Sequence, residues 1–80
     1  MFDAKRIGKT VKHIRKSSPF NTQEKFAELI NTSPETISNI ERGTVHLKTT
    51  TLLSIAQHCN VSTDYILGLS DDPRPLKKEA

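Results

Sequence analysis

The sequence predicts an all-α fold, a bundle of five short helices joined by short connections. Three observations predict it. Apolar residues recur at helical spacing through most of the chain. Residues that cap helix N-termini precede these apolar segments, and residues that tolerate a left-handed backbone follow them. The chain has 80 residues, 34% of them hydrophobic, which suits one small core and excludes a multi-domain enzyme with a deep cleft.

The first helix is predicted from Ala4 to Ser17. Its apolar stripe has the spacing i, i+4, i+7 and consists of Ile7, Val11 and Ile14. Asp3 precedes the helix, where a negative charge favours the positive end of the helix dipole. Ser18-Pro19 ends it, because a residue before proline is pushed out of the helical conformation. Six of the twelve Lys and Arg residues lie at positions 5 to 16, so the exposed face is basic.

The second helix is predicted at 23–30. Thr22 can cap its N-terminus. Asn31 can end it, because asparagine tolerates the left-handed backbone better than any residue except glycine. The apolar face of this helix consists of Phe26, Ala27, Leu29 and Ile30.

The third helix is predicted at 34–42. Ser33 followed by Pro34 is a strong pattern for a helix start, and Gly43 is expected to end the helix. Only two of its positions are apolar, Ile37 and Ile40. Most of this helix is therefore free to face outward.

The fourth and fifth helices follow a loop at 44–48. Thr49 or Thr50 can cap the fourth helix, and Asn60 is expected to end it. Its apolar residues are Leu52, Leu53, Ile55 and Ala56. Ser62 can cap the fifth helix, which has Asp64 in its first turn and the apolar residues Ile66, Leu67 and Leu69 near its end.

These elements predict one domain at 1–69 and a flexible polar tail at 70–80, which holds two prolines and six charged residues. Cys59 is the only cysteine, so no internal disulfide can form, and a reducing, cytoplasmic location is expected. No apolar stretch is long enough to span a membrane, and the N-terminus lacks the apolar core of a signal peptide.

The charge of the chain is unevenly distributed. Residues 1–48 hold nine basic and five acidic side chains, a net +4, whereas residues 49–80 hold three and four, a net −1. The whole chain has a formal charge of +3. A basic half favours a polyanionic partner.

The most informative segment runs from Thr22 to Gly43. It contains two predicted helices of about eight residues separated by a turn of about three. The small residue Ala27 lies on the inner face of the first, where two helix backbones approach closely. The two isoleucines of the second leave its remaining side free. This arrangement is typical of a helix-turn-helix, whose second helix lies in the major groove of DNA.

At this point the sequence resembles the Cro/repressor-like helix-turn-helix family, also called the XRE type, over residues 5–69. The motifs that carry the resemblance are Thr22-Gln23, Phe26-Ala27, Ser33 with Ile37, Ser38, Glu41 and Gly43, and Val61 to Leu67. Asn31 and Asn60 replace two glycines that the family commonly has, and Phe26 replaces a leucine. The resemblance implies a five-helix lambda-repressor-like fold and a sequence-specific transcriptional regulator, of the repressor type, that binds double-stranded DNA.

The resemblance also implies which residues contact base edges: Pro34, Glu35, Thr36, Ser38 and Asn39. An asparagine can pair bidentately with adenine, and Ser or Thr can contact any base edge. Glu35 could accept a hydrogen bond from cytosine or could simply stabilise the start of the helix. For Asn39 the alternatives are a phosphate contact or plain solvation.

Contacts with DNA phosphates are implied for Gln23, Arg42, Thr44 and Lys48. The alternative for Gln23 and Lys48 is an ordinary solvated side chain. The family pairs an acid at the position of Glu41 with an arginine at the position of Arg15, so a structural ion pair is expected there. Cys59 is expected to be a small core residue.

A homodimer is expected, with a surface in the region of the fourth and fifth helices that includes Ile66, Leu67 and Leu69. An antitoxin-type protein that binds a toxin partner as well as DNA is the alternative. The three histidines have no metal-ligand spacing with Cys59, and no catalytic set or glycine-rich phosphate loop occurs. We therefore expect neither enzyme activity nor a metal or cofactor.

Overall fold

The protein folds into five helices in the computed structural model, which describes residues 3–75. They are α1 (Ala4–Lys16), α2 (Gln23–Leu29), α3 (Pro34–Arg42), α4 (Thr49–Cys59) and α5 (Thr63–Leu67). Within the described range there is no β-strand, which confirms the predicted all-α class. None of these helices is long and apolar enough to cross a membrane.

Side-chain caps start most of the helices, as predicted. The hydroxyls of Thr22, Ser33 and Ser62 accept hydrogen bonds from backbone N–H groups three residues later, at 3.0–3.1 Å. The carboxylate of Asp3 accepts from the N–H of Lys5. The prediction for α4 is wrong, because Thr49 is already helical and the capping position belongs to Lys48, which makes no side-chain capping bond. A lysine ammonium has no acceptor to offer the first N–H groups of the helix.

Left-handed residues end the helices at the predicted positions. The φ angles are +60° at Asn31, +77° at Gly43 and +54° at Asn60. The residue after each of them donates its N–H to a carbonyl five residues back, which closes the helix end. α2 is one residue shorter than predicted, since Ile30 lies at φ −101° and ψ +13° and has left the helical conformation.

The core lies between α1, α2 and α3 and extends to α4 and α5. Its buried members are Ile7, Val11, Ile14, Phe26, Ala27, Ile30, Ile37, Ile40, Ile55 and Ile66. Ile66 therefore does not belong to a surface for a second subunit, contrary to expectation, whereas Leu53 and Leu69 are 48% and 63% exposed. Cys59 packs against the core, half-buried, and this burial raises the pKa of its thiol.

The chain after α5 stays in contact with the helices as far as it is described. The N–H of Ser62 donates to the carbonyl of Pro73 at 2.9 Å. Hydrogen bonds from Arg74 lower the pKa of the Asp72 carboxyl to about 2. The predicted tail at 70–80 extends beyond the described residues, because 76–80 lie outside them.

Candidate DNA interface

Helix α3 is anchored by its two isoleucines and presents its other side outward. Ile37 and Ile40 are 0% and 2% exposed, and both belong to the core. Pro34, Glu35 and Arg42 are exposed, and of these Glu35 and Arg42 lie opposite the isoleucines. The polar side of the helix is therefore available to a partner.

A close backbone approach sets the position of α3 against α1. A Cβ atom added to Gly8 would lie 2.2 Å from the carbonyl oxygen of Ile40 and 2.8 Å from that of Glu41. Real Cβ atoms essentially never approach so closely, so only glycine allows this packing. Sequence reasoning expected the close approach at Ala27 in the second helix and did not identify Gly8. A glycine in the middle of a strongly helical segment was the available signal.

The ion pair expected between Arg15 and Glu41 is present and fastens α3 to α1. Arg15 donates from Nε to Glu41 Oε2 at 2.7 Å and from Nη2 to Oε1 at 3.0 Å. The two side chains are only 9% and 4% exposed. The hydrogen bond with Glu41 raises the pKa of the guanidinium. Arg15 also donates to the backbone carbonyl of Asn21, and this bond attaches the segment before α2 to α1.

The side chain of Gln23 joins the same network. Its amide Nε2 donates to Glu41 Oε1 at 3.2 Å. Gln23 is the first residue of α2, and its amide still has an acceptor oxygen and a second N–H. The structure thus places this predicted phosphate contact beside the ion pair rather than leaving it as an isolated solvated residue.

The predicted base contacts divide into two groups. Pro34 and Glu35 lie in the first turn of α3 and are exposed. Thr36, Ser38 and Asn39 are half-buried. The hydroxyl of Thr36 lies 2.8 Å from that of Ser33, so the helix cap already engages it.

Thr36 and Asn39 line an open cleft of about 460 Å³. The turn before α3, the α3–α4 loop with Lys48, and α4 also line it. The cleft brings two predicted base contacts and one predicted phosphate contact together. It also contains His46 and Thr50, which sequence reasoning did not assign to the site.

The other predicted phosphate contacts lie at the end of α3. Arg42 donates from Nη2 to Asn39 Oδ1, at 2.5 Å. Both the hydroxyl and the backbone N–H of Thr44 donate to the carbonyl of Asn39 at 3.1 Å. Asn39 is therefore hydrogen-bonded to Arg42 through its side chain and to Thr44 through its backbone carbonyl.

Solved structures of other proteins share this fold. The P22 c2 repressor in complex with a synthetic operator matches with a TM-score of 0.72 and 23% identity, covering 80% of this chain and 96% of that chain. The restriction-modification controller protein C.AhdI from Aeromonas hydrophila matches with a TM-score of 0.72 and 19% identity, with the same coverage. These matches confirm the lambda-repressor-like fold.

Sequence comparison gives the family. Over 62 residues the chain is 40% identical to the HTH-type transcriptional regulator ImmR of Bacillus subtilis (strain 168), covering 78% of this chain and 48% of that regulator. The chain thus spans about half the length of this curated relative. Residues 21–66, more than half of the chain, match the family described as Helix-turn-helix, HTH_3. The chain therefore belongs to the helix-turn-helix family HTH_3, as the motifs at 22–43 and 61–67 predicted.

Proposed function

We propose that this chain is a sequence-specific DNA-binding transcriptional regulator of the repressor type, which reads the major groove with α3. One observation carries the proposal. α3 buries Ile37, Ile40 and the side chain of Glu41 and leaves Pro34, Glu35 and Arg42 exposed, and a helix with a free polar side is the geometry that major-groove recognition needs. The similarity to the regulator ImmR supports the regulatory role.

In this proposal the position of each residue decides whether it contacts bases, contacts phosphates or orients α3. The outer side of α3 contacts base edges through Pro34, Glu35, Thr36, Ser38 and Asn39. Phosphates are held on both sides of it, by Gln23 at the start of α2 and by Arg42, Thr44 and Lys48 after the recognition helix. Arg15 and Glu41 set the orientation of α3 and do not contact DNA. The DNA-binding unit is 1–69, with 70–80 as a polar tail.

We further propose that the protein binds as a homodimer on two half-sites about one helical turn apart. Leu53 and Leu69 are exposed apolar side chains of the α4–α5 region, which gives a second copy an apolar surface to cover.

The proposal is tested by selecting bound duplexes from a random pool, with the wild type and with Asn39→Ala. The wild type is expected to enrich a defined sequence, and the variant is expected to lose preference at one base pair. Affinity for the selected duplex should fall with salt at a slope of about −0.9 per phosphate contact. If the wild type enriches no sequence, the proposal is wrong.

The antitoxin alternative predicts a stoichiometric protein partner in pull-downs from the native cells. The relative ImmR is described as a transcriptional regulator, which favours transcriptional regulation over toxin neutralisation.

A further inference from the structure

Asn39 and Arg42 form a side-chain pair on the polar side of α3. They lie three residues apart, so their side chains are neighbours on the helix surface. Arg42 Nη2 donates to Asn39 Oδ1 at 2.5 Å, a hydrogen bond with a charged donor. The backbone of Asn39 is also held, since Thr44 donates to its carbonyl from both the hydroxyl and the N–H.

The hydrogen bond with Arg42 sets the orientation of the Asn39 side-chain amide. An asparagine amide has an acceptor oxygen and a donor NH2 group, and a rotation of 180° about its last bond exchanges them. A guanidinium has only donors, so only the oxygen can face Arg42. The NH2 group is then directed away from Arg42. One lone pair of the oxygen stays available, because a carbonyl oxygen can accept two hydrogen bonds.

We propose that Arg42 is a positioning residue that sets the orientation of the Asn39 amide and thereby its base preference, an inference that rests on the proposed function. Adenine presents the N6 donor and the N7 acceptor side by side in the major groove, and an asparagine amide matches both. Exchanging A·T for T·A moves adenine to the other strand and reverses the order of its N7 and N6 groups across the groove. An amide of fixed orientation fits one order, whereas an amide that can turn over fits either.

Arg42 can orient the Asn39 amide and contact a DNA phosphate at the same time. It is exposed, and among residues 3–75 it makes no ion pair with an acidic side chain. One nitrogen is engaged with Asn39, which leaves donors on the same planar group for a phosphate oxygen. A lysine is also a donor only, but its single nitrogen cannot reach Asn39 and a phosphate oxygen in different directions at once. Arg42→Lys therefore keeps the charge at the phosphate and releases the Asn39 amide, which separates the two roles.

The experiment measures affinity for duplexes in which each base pair of the selected site is exchanged in turn. It compares the wild type with Arg42→Lys, Arg42→Ala, Asn39→Ala and the double variant Asn39→Ala/Arg42→Lys. Lys48→Ala is the matched control, because it removes a proposed phosphate contact without touching Asn39. Melting temperatures confirm that each variant folds.

Arg42→Lys is expected to keep the salt slope of the wild type. It is expected to lose about tenfold in discrimination between A·T and T·A at the one base pair whose preference Asn39→Ala removes. In the double variant the Arg42→Lys change should have no further effect there. Lys48→Ala should weaken all duplexes equally.

Two outcomes would overturn the inference and leave the proposed function intact. In one, Arg42→Lys keeps the full preference of the wild type. In the other, Arg42→Lys and Arg42→Ala weaken every duplex by the same factor, which makes Arg42 a phosphate contact only. A wild type without any base preference would overturn the proposed function as well.

Discussion

Asn39 and Glu41 lie two positions apart on α3, yet they have opposite environments. Asn39 is half-buried at a cleft wall and bonds to Arg42, whereas the side chain of Glu41 is 4% exposed and bonds to Arg15 and Gln23. The helical repeat turns one toward solvent and the other toward α1. Binding and stability should therefore respond differently to substitution at these two positions.

Glu41→Ala is expected to lower stability and DNA affinity together. It leaves the guanidinium of Arg15 buried without its partner, which costs about 3–5 kcal/mol. A small domain has about 5 kcal/mol in total, so part of the population should unfold. Asn39→Ala should lower affinity about tenfold and change the free energy of unfolding by less than about 0.5 kcal/mol. Thermal denaturation and duplex titration check both variants, and equal melting temperatures would contradict the assignment.

Some side-chain contacts of the site could be predicted from the sequence and others could not. The Arg15–Glu41 pair was expected from the family resemblance alone. The bonds from Gln23 to Glu41 and from Arg42 to Asn39 were not expected, because a side-chain conformation depends on the space that the neighbouring helices leave. Periodicity indicates which side of a helix a residue occupies, but not which partner it meets.

Among the five helices of residues 3–75, α4 is the one whose start lacks a side-chain cap. Lys48 occupies the capping position with φ −72° and ψ +151°, the extended conformation that a capping serine would also adopt. A small capping residue would stabilise the helix at this position, whereas the lysine supplies the charge that the proposed phosphate contact uses.

Lys48→Ser is expected to stabilise the fold and weaken DNA binding. The serine oxygen can accept an N–H of the first turn, which stabilises by about 0.5–2 kcal/mol. The lost charge should make the salt slope shallower by about 0.9. Lys48→Ala is the control and should show the same loss of slope without the gain in stability. An equal rise in melting temperature for both variants would argue against a missing cap.

The packing of α1 on α3 depends on Gly8. Gly8→Ala should destabilise the fold by about 1–3 kcal/mol, because the added methyl meets the backbone carbonyls of Ile40 and Glu41. At an uncrowded helix position the same change would stabilise by about 0.5–1 kcal/mol, so the sign of the effect is diagnostic. Denaturant unfolding measures it, with Lys9→Ala on the exposed side of α1 as the control. A stabilised Gly8→Ala protein would contradict the close approach.

At the scale of the whole molecule, the role of the exposed leucines in the proposed dimer can be tested by substitution. Leu69→Lys is expected to reduce affinity for a duplex with two half-sites and to leave affinity for a single half-site unchanged. The reason is that a charge at the subunit contact opposes pairing of the two copies but leaves α3 intact. Sedimentation and titration with both duplexes measure the two effects.

Phe20→Lys provides the control, because Phe20 is 40% exposed and the cleft that it lines contains neither an α3 residue nor Leu53 or Leu69. The substitution adds the same charge without altering either leucine of the proposed contact. If both variants weaken the two duplexes alike, Leu69 has no role in dimerisation.

The sequence by itself determined the five helices, because capping side chains, left-handed residues and apolar spacing act within a few residues of one another. It also determined which helix presents its polar side, since α3 has only two apolar positions. The tertiary structure decided what depends on distant segments meeting. Examples are the contact of Gly8 with the backbone of α3, the burial of Ile66, and the attachment of Gln23 to the Arg15–Glu41 pair. These follow from the relative placement of helices, which no local pattern records.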